Sequence, residues 1–361
     1  MKLFYFLFKF LIITLHFTLA SVSANSEQPL KIGHAERLLI LAPHPDDESL
    51  SAAGLAHRVL ENGGSVRSVV VTAGDAYVEA IQRDTGRRQL TQTDFLRYGE
   101  NRLEESRHAA KVLGNGLIHL DLLGFSDGSI YAMLVSHWNK THPDKSEFTG
   151  FSHVPYIEAE DKGIAQDGKA LRDELVKILK ETKPTLIVFP DVMENDSDHA
   201  GLGMFTLLAI NDWLEPSDDK SFTPRLLAYL IHWQHGWPSG SESNKPLDLS
   251  NQPLFLPDDL PLRGHTRTCF DLNILEKNLK HYTLAQYHTQ QRAMGAFLAA
   301  FVRSNECFTL LKESDSKGIK NVVAQWQHVR KVFDSHPVNR EKILFTKNSL
   351  PTFRNETSNH H

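Results

Sequence analysis

Leu38-Leu39-Ile40-Leu41-Ala42-Pro43-His44-Pro45-Asp46-Asp47-Glu48 decides how this chain is read. The unbroken apolar run Leu38 to Leu41 lacks the alternation of a half-exposed strand, so it reads as a strand buried on both faces. Ser49 to Asn62 follows as a helix stopped by Gly63-Gly64. Val66 to Thr72, rich in β-branched residues, is the next strand. Strand, turn, helix and strand at this spacing make a βαβ unit, whose right-handed crossover leaves the two strands parallel.

The same alternation continues outward. Leu103, Ser106, Ala110 and Leu113 share one helical face, with Gly114 as a stop. Strands are expected at Leu117–Leu123, Leu186–Phe189 and Leu226–His232. Helices are expected through Leu171, Leu175, Ile178 and Leu179, and over Leu202–Leu214. The class is α/β and Rossmann-like: a mainly parallel sheet with helices on both faces, elaborated by long loops at its carboxyl edge. Three stretches read as such loops: Tyr77–Gly99, Ile130–Gly168 and Pro238–Leu262.

The chain has 361 residues, 39 Lys+Arg against 44 Asp+Glu, 41% apolar and 23% charged residues. This balance excludes disordered, collagen-like and disulfide-scaffold proteins. It also argues against nucleic acid as a partner, which needs a basic surplus on some face. Residues 1–24 carry Lys2 and Lys9, then an apolar stretch from Phe10 to Leu19, then Val22-Ser23-Ala24. That pattern reads as a signal peptide cleaved after Ala24, placing the protein in a secreted or periplasmic compartment with no stable membrane insertion afterwards. Residues 25–335 are then expected to form a single domain, and 336–361 a polar tail. Cys269 and Cys307 are either bonded to each other or, for Cys307 at the end of an apolar helix, a buried thiol.

The turn after the first strand carries the chemistry. From it, His44 and Asp47 can reach one metal ion, with Asp46 facing a water on that ion. Nitrogen and oxygen ligands with an open position describe a catalytic zinc site. A solvated acidic helix start would explain Asp46 to Glu48, but neither His44 nor the two prolines. Glu48 reads as a helix-start or second-shell carboxylate. A third ligand is sought after Leu186–Phe189, in Glu194-Asn195-Asp196-Ser197-Asp198-His199. There His199 precedes a helix, with Asp198 as a second-shell partner.

In combination these segments resemble the LmbE/PIG-L family of zinc-dependent N-acyl-sugar deacetylases, in its extended, secreted form. The resemblance runs from about Arg37 to Phe308. It rests on His44-Pro45-Asp46-Asp47-Glu48, Thr72-Ala73-Gly74-Asp75, the helix from Arg102 to Gly114, Gly124-Phe125-Ser126-Asp127-Gly128 and Asp198-His199. It implies that His44, Asp47 and His199 bind zinc or another divalent metal and that Asp46 is the general base. Arg102 and Asp127 would then grip sugar hydroxyls. Each has a structural alternative: Arg102 paired with Glu105, Asp127 as a turn former. Lys277 to Tyr287, Thr289-Gln290 and Arg303 to Phe308 look like the family's closing helices. Ala296, Ala299 and Ala300, with Phe297 and Phe301, suggest packing rather than chemistry.

One departure stands out. Relatives carry a second histidine three positions before the metal-binding one, and Asp196 stands there in this chain. His232 is the candidate for the missing charge-stabilising role, against its reading as a core histidine. Trp233 and Trp237 are either sugar-stacking or core residues. The expected activity is removal of an acyl group, acetyl in the first instance, from an amino sugar or glycoconjugate. The alternatives are a zinc-containing carbohydrate-binding protein impaired in catalysis, and an esterase or amidase acting on a non-sugar substrate.

Overall fold

The computed structural model describes residues 28–214, 223–234, 236–262 and 265–311. The expected signal peptide, the polar tail and the end of the expected domain lie outside the described residues. The elements run β1 (Gln28–Pro29), β2 (Arg37–Ala42), α1 (Asp47–Glu61), β3 (Ser65–Thr72), α2 (Val78–Thr85), α3 (Gln92–Gly114), β4 (Ile118–Phe125) and α4 (Ile130–Val135). There follow α5 (Gly168–Thr182), β5 (Leu186–Pro190), α6 (Ser197–Leu214), β6 (Arg225–Tyr229), β7 (Thr266–Asp271), α7 (Ile274–Leu284), α8 (His288–Ala299) and β8 (Asn305–Leu311).

All the strands join one eight-stranded sheet, ordered β1-β7-β8-β6-β5-β2-β3-β4. The run β4-β3-β2-β5-β6 is parallel. β8 pairs antiparallel with both β6 and β7. The expected class is therefore the observed one. Leu38 to Leu41 are almost fully buried. Leu39 and Leu41 enter the core on one face, and Leu38 and Ile40 the core on the other. That explains the missing alternation. From β2 the chain winds outward through β3 to β4, then returns to β5 on the other side of β2 and continues to β6. The winding direction reverses between β2 and β5, and the loops leaving their carboxyl ends diverge around a crevice.

Three expectations are corrected. Tyr77–Gly99 is mostly helical rather than a loop. A capping box between Thr91 and Asp94 starts α3 at Gln92, and Phe95 and Tyr98 bury themselves with Ala80 and Ile81 of α2. Residues 305–311, expected to close a helix, form β8, because β6 has a free edge that a short apolar segment can pair. Cys269 and Cys307 are bonded. They lie directly opposite each other on β7 and β8, with Cα atoms 4.1 Å apart. Among the described residues no helix is long and apolar enough to cross a membrane.

Helix α1 is broken at Ala52 (φ −146°, ψ 23°), which frees backbone groups inside the protein. A buried ion pair from the C-terminal elements takes them up. Glu306 Oε1 and Oε2 accept the N–H groups of Gly54 and Leu55 (3.0 and 2.9 Å). Lys280 Nζ donates to Leu50 O and to Glu306 Oε1, both at 2.8 Å. Removing the cation alone strands a carboxylate in the core. Lys280→Met should therefore cost about 3–5 kcal/mol in urea unfolding, and Lys280→Met with Glu306→Gln should recover part of it. A loss below about 1 kcal/mol for the single variant would show that the pair does not hold the break.

Candidate active site

The turn between β2 and α1 is clamped from several directions. Thr72 at the end of β3 donates both its N–H and its hydroxyl to Pro43 O (2.8 and 2.9 Å). Asp46 caps α1 with φ 117° and ψ −29°, a left-handed conformation that costs a non-glycine residue roughly 1–3 kcal/mol unless its surroundings impose it. Those surroundings are on hand. The Asp46 N–H donates to Glu48 Oε2 (3.0 Å), and Glu48 Oε1 accepts the Tyr287 hydroxyl (2.7 Å). Arg102 donates to Pro45 O (2.6 Å) and to Gly74 O (2.9 Å). Gly74 has φ +62°, and a Cβ there would lie 2.1 Å from Arg102 Nη1, so only glycine lets the guanidinium through.

Across the switch point, Asp196 Oδ1 accepts the N–H groups of Asp198 (2.8 Å) and His199 (3.3 Å) and so starts α6. His199 lies inside the first turn of α6 rather than before the helix. His44, Asp47 and His199 each present one ligand atom, all within 4.8 Å of one another. Asp47 Oδ2 is 3.3 Å from His44 Nδ1 and 3.2 Å from His199 Nε2, and it also accepts the His44 N–H. Both ring nitrogens of His199 are buried without a hydrogen-bond partner in proper geometry. Two imidazoles and a carboxylate, one ring unsatisfied, fit a divalent ion with an open position.

The other side of His44 faces carboxylates too. Its Nε2 is 3.2 Å from Asp127 Oδ1 and 3.6 Å from Asp198 Oδ2. Asp198 also accepts the N–H groups of Gly128 (2.7 Å) and Ile130 (3.0 Å), tying the turn after β4 to α6. Asp198 was expected to support His199; the structure sets it against His44. Neighbouring side chains on a helix diverge by about 100°, so Asp198 and His199 face different ways. Glu194 stands beside His199 instead, its Oε1 3.4 Å from Nδ1, while its carboxylate also accepts the His232 N–H at 2.7 Å. Burial pushes Glu194 up to about 7, against the pull of His199.

The remaining expected residues meet around one cavity of about 240 Å³, which His44, Asp46, Asp47, Arg102, Asp127 and His232 line. Arg102 does not pair with Glu105, which accepts instead the N–H and hydroxyl of Thr289 (2.9 and 2.6 Å). Its Nη2 lies 3.5 Å from Asp46 Oδ1. Asp127 Oδ2 accepts the Ala76 N–H (3.2 Å) while Oδ1 faces His44, so its carboxylate contacts more than its own turn. Burial drives the Asp46 carboxyl well up, with Arg102 opposing and the charges of Asp47 and Glu48 adding to the rise.

β6 ends at Tyr229, so His232 sits on the loop beyond it rather than at the strand end. Its ring meets that of His199 edge-on (4.7 Å between centroids) and stacks on Phe297 (5.5 Å). Burial and the neighbouring His199 hold it down at about 4. The sequence reading missed Tyr77, Gln290, Met294 and Phe297, which complete the cavity wall. Gln290, Met294 and Phe297 are spaced as one helical face, a signal present in the sequence. Phe297 packs against the core, as expected, and also lines the cavity.

Residues 39–210 match the PIG-L family, described as GlcNAc-PI de-N-acetylase, and form a PIG-L family domain. No curated protein sequence matches the chain. Among solved structures, the A40926 pseudoaglycone deacetylase Dbv21 is similar at 19% identity, over 76% of this chain and 97% of that one, with a TM-score of 0.48. An N,N′-diacetylchitobiose deacetylase from Pyrococcus horikoshii is similar at 16% identity, over 78% and 86%, with a TM-score of 0.46. GalB, a 4-carboxy-2-hydroxymuconate hydratase from Pseudomonas putida KT2440, is similar at 14% identity, over 74% and 83%, with a TM-score of 0.43. Those activities are the activities of those proteins.

Asp75, three residues beyond β3, supports the turn that carries Asp127. It is fully buried, accepts the Tyr156 hydroxyl (2.5 Å) and the Asp127 N–H (3.0 Å), and is pushed by burial to about 7. The folded protein therefore holds this proton more tightly than the unfolded chain. Its contribution to stability is full below the ordinary aspartate value and is lost as pH rises through about 7. Relative to Asp75→Asn, the wild type should lose up to about 4 kcal/mol of advantage between pH 4 and pH 8. Urea unfolding at both values checks this, and a constant difference would refute it.

Proposed function

We propose, starting from a PIG-L family domain, that this protein is a metal-dependent hydrolase that removes an N-acetyl group from an amino sugar or glycoconjugate. The observation that carries this reading is the convergence of His44, Asp47 and His199 on one position, beside an open cavity that His44, Asp46, Asp47 and Arg102 line. Zinc suits two imidazoles and one carboxylate, and when bound it would polarise an amide carbonyl and make a water acidic near neutrality. Asp46 takes the proton from the attacking water and returns it to the leaving amine, as one base and acid in turn. Glu48 and Arg102 hold the Asp46 turn so that its carboxyl faces the cavity. His232, on the same wall, has a ring N–H to offer the carbonyl oxygen as that oxygen gains charge.

The reading as an impaired binding protein rests on Asp196 in place of a histidine. Asp196 has a structural task of its own, starting α6 through two backbone N–H groups, and His232 reaches the same cavity. Both observations favour an enzyme. Export to an oxidising compartment is part of the proposal, supported by the pattern of residues 1–24 and by the Cys269–Cys307 bond.

Asp46→Asn keeps a residue type that tolerates a left-handed backbone, so the fold and metal content should survive. Acetate release from N-acetylhexosamines should fall by roughly 10²–10⁴-fold. His199→Ala should instead lose the metal, read by elemental analysis. Retained turnover in Asp46→Asn would overturn the base assignment, and activity confined to O-acyl substrates would overturn the amidase reading.

A further inference from the structure

Asp47 shows which nitrogen of each histidine faces the candidate metal position. Its Oδ2 lies 3.3 Å from His44 Nδ1 and 3.2 Å from His199 Nε2. The two rings therefore turn opposite nitrogens away from that position, Nε2 of His44 and Nδ1 of His199. An imidazole that binds a metal through one nitrogen carries its proton on the other, and the group that accepts this proton fixes the tautomer and the direction of the ring. His44 Nε2 has Asp127 and Asp198 beside it for that task. Beside His199 Nδ1 stands Glu194, its Oε1 3.4 Å away, with both side chains fully buried. The contact is not aligned as a hydrogen bond, and both nitrogens of the His199 ring lack one that is. A ring drawn to a metal through Nε2 has the Glu194 carboxylate at hand to take its Nδ1 proton.

The same carboxylate is tied to a second loop. Glu194 Oε1 accepts the Ile231 N–H (2.5 Å) and Oε2 the His232 N–H (2.7 Å). Around it the two loops continue the pairing of β5 with β6. The Asp191 N–H donates to Tyr229 O (2.7 Å), and the Asn195 N–H donates to His232 O (3.1 Å). With the His199 Nδ1 proton, three N–H groups converge on one buried side chain. An ionised carboxylate offers about four acceptor sites and no donor, so it can satisfy all three. A carboxamide of the same shape has a donor in place of one oxygen and cannot. The second loop carries His232, whose ring meets the His199 ring edge-on at 4.7 Å, so one side chain locates both histidines.

We infer that Glu194 is a positioning residue of this centre: it takes the Nδ1 proton of His199, so that Nε2 is presented to the metal, and it holds the His232 loop against the same ring. The inference rests on the metal site of the proposed function. Glu194 lies behind the residues that line the cavity, so its effect passes through the two histidines rather than through contact with substrate.

The test compares the full-length wild type with Glu194→Gln. Zinc affinity is read by competition with a chelator of known strength, and the state of the His199 ring by the nitrogen resonances of the zinc-loaded protein. The wild-type His199 proton should sit on Nδ1. Glu194→Gln should weaken zinc binding about 10–100-fold and shift the His199 resonances. A role in folding alone would lower the urea midpoint of Glu194→Gln and leave its zinc affinity and the His199 resonances unchanged. That result would overturn the inference, as would a wild-type His199 with its proton on Nε2 and zinc on Nδ1. Should Glu194→Gln fail to fold, the wild-type tautomer decides by itself. Zinc binding that depends on Glu194, without acetate release from any N-acetylhexosamine, would keep the inference and overturn the deacetylase reading. Acetate release by a wild type whose zinc affinity survives Glu194→Gln would do the reverse. A wild type that binds no zinc would overturn both.

Discussion

The charge balance at the switch point governs this structure. Asp46, Asp47, Glu48, Glu194 and Asp198 are buried around two imidazoles and one guanidinium. Carboxylates packed this densely repel one another and resist leaving water, so the arrangement calls for protonation or for positive charge beside it. Arg102 supplies part of it from α3. The open, unsatisfied geometry between His44, Asp47 and His199 is where a divalent ion would supply the rest. The turn that carries these groups is strained at Asp46, and the surrounding hydrogen bonds hold it there.

Much of that support comes from far along the chain. The family match ends at residue 210, yet Tyr287 holds Glu48, and Lys280 with Glu306 closes the break in α1. His232, Gln290 and Phe297 wall the cavity. The C-terminal elements extend the sheet through β8 and β7, and the same elements set the shape of the site. The residues facing the candidate metal position thus precede residue 211, and part of what holds them comes from beyond it.

Legibility in the sequence followed how local each constraint was. The βαβ pattern and the ligand candidates were readable because strand, turn and helix are adjacent in the chain, and because the carboxyl end of a strand is where such sheets place their sites. The partner of each ligand was not readable. Asp198 adjoins His199 in sequence but faces His44, because a helix turns neighbouring side chains apart. Arg102 is one turn from Glu105, yet it reaches Pro45 and Gly74, and Glu105 is taken by Thr289. Helix periodicity marks which residues share a face, but not which space that face meets, so Phe297 read as packing.

By itself the sequence determined the α/β class, the parallel core of the sheet, and His44, Asp46, Asp47 and His199 as candidates for one centre. Those features depend on residue type and short-range spacing, which a linear chain displays directly. Tertiary structure decided the pairing of Cys269 with Cys307, the antiparallel extension by β8 and the service of Asp198 to His44. It also decided the place of Glu194 against both the His199 ring and the His232 N–H. Each of these depends on contacts between residues distant in the chain, or on the direction in which a side chain leaves its element. Only folding brings those two things together.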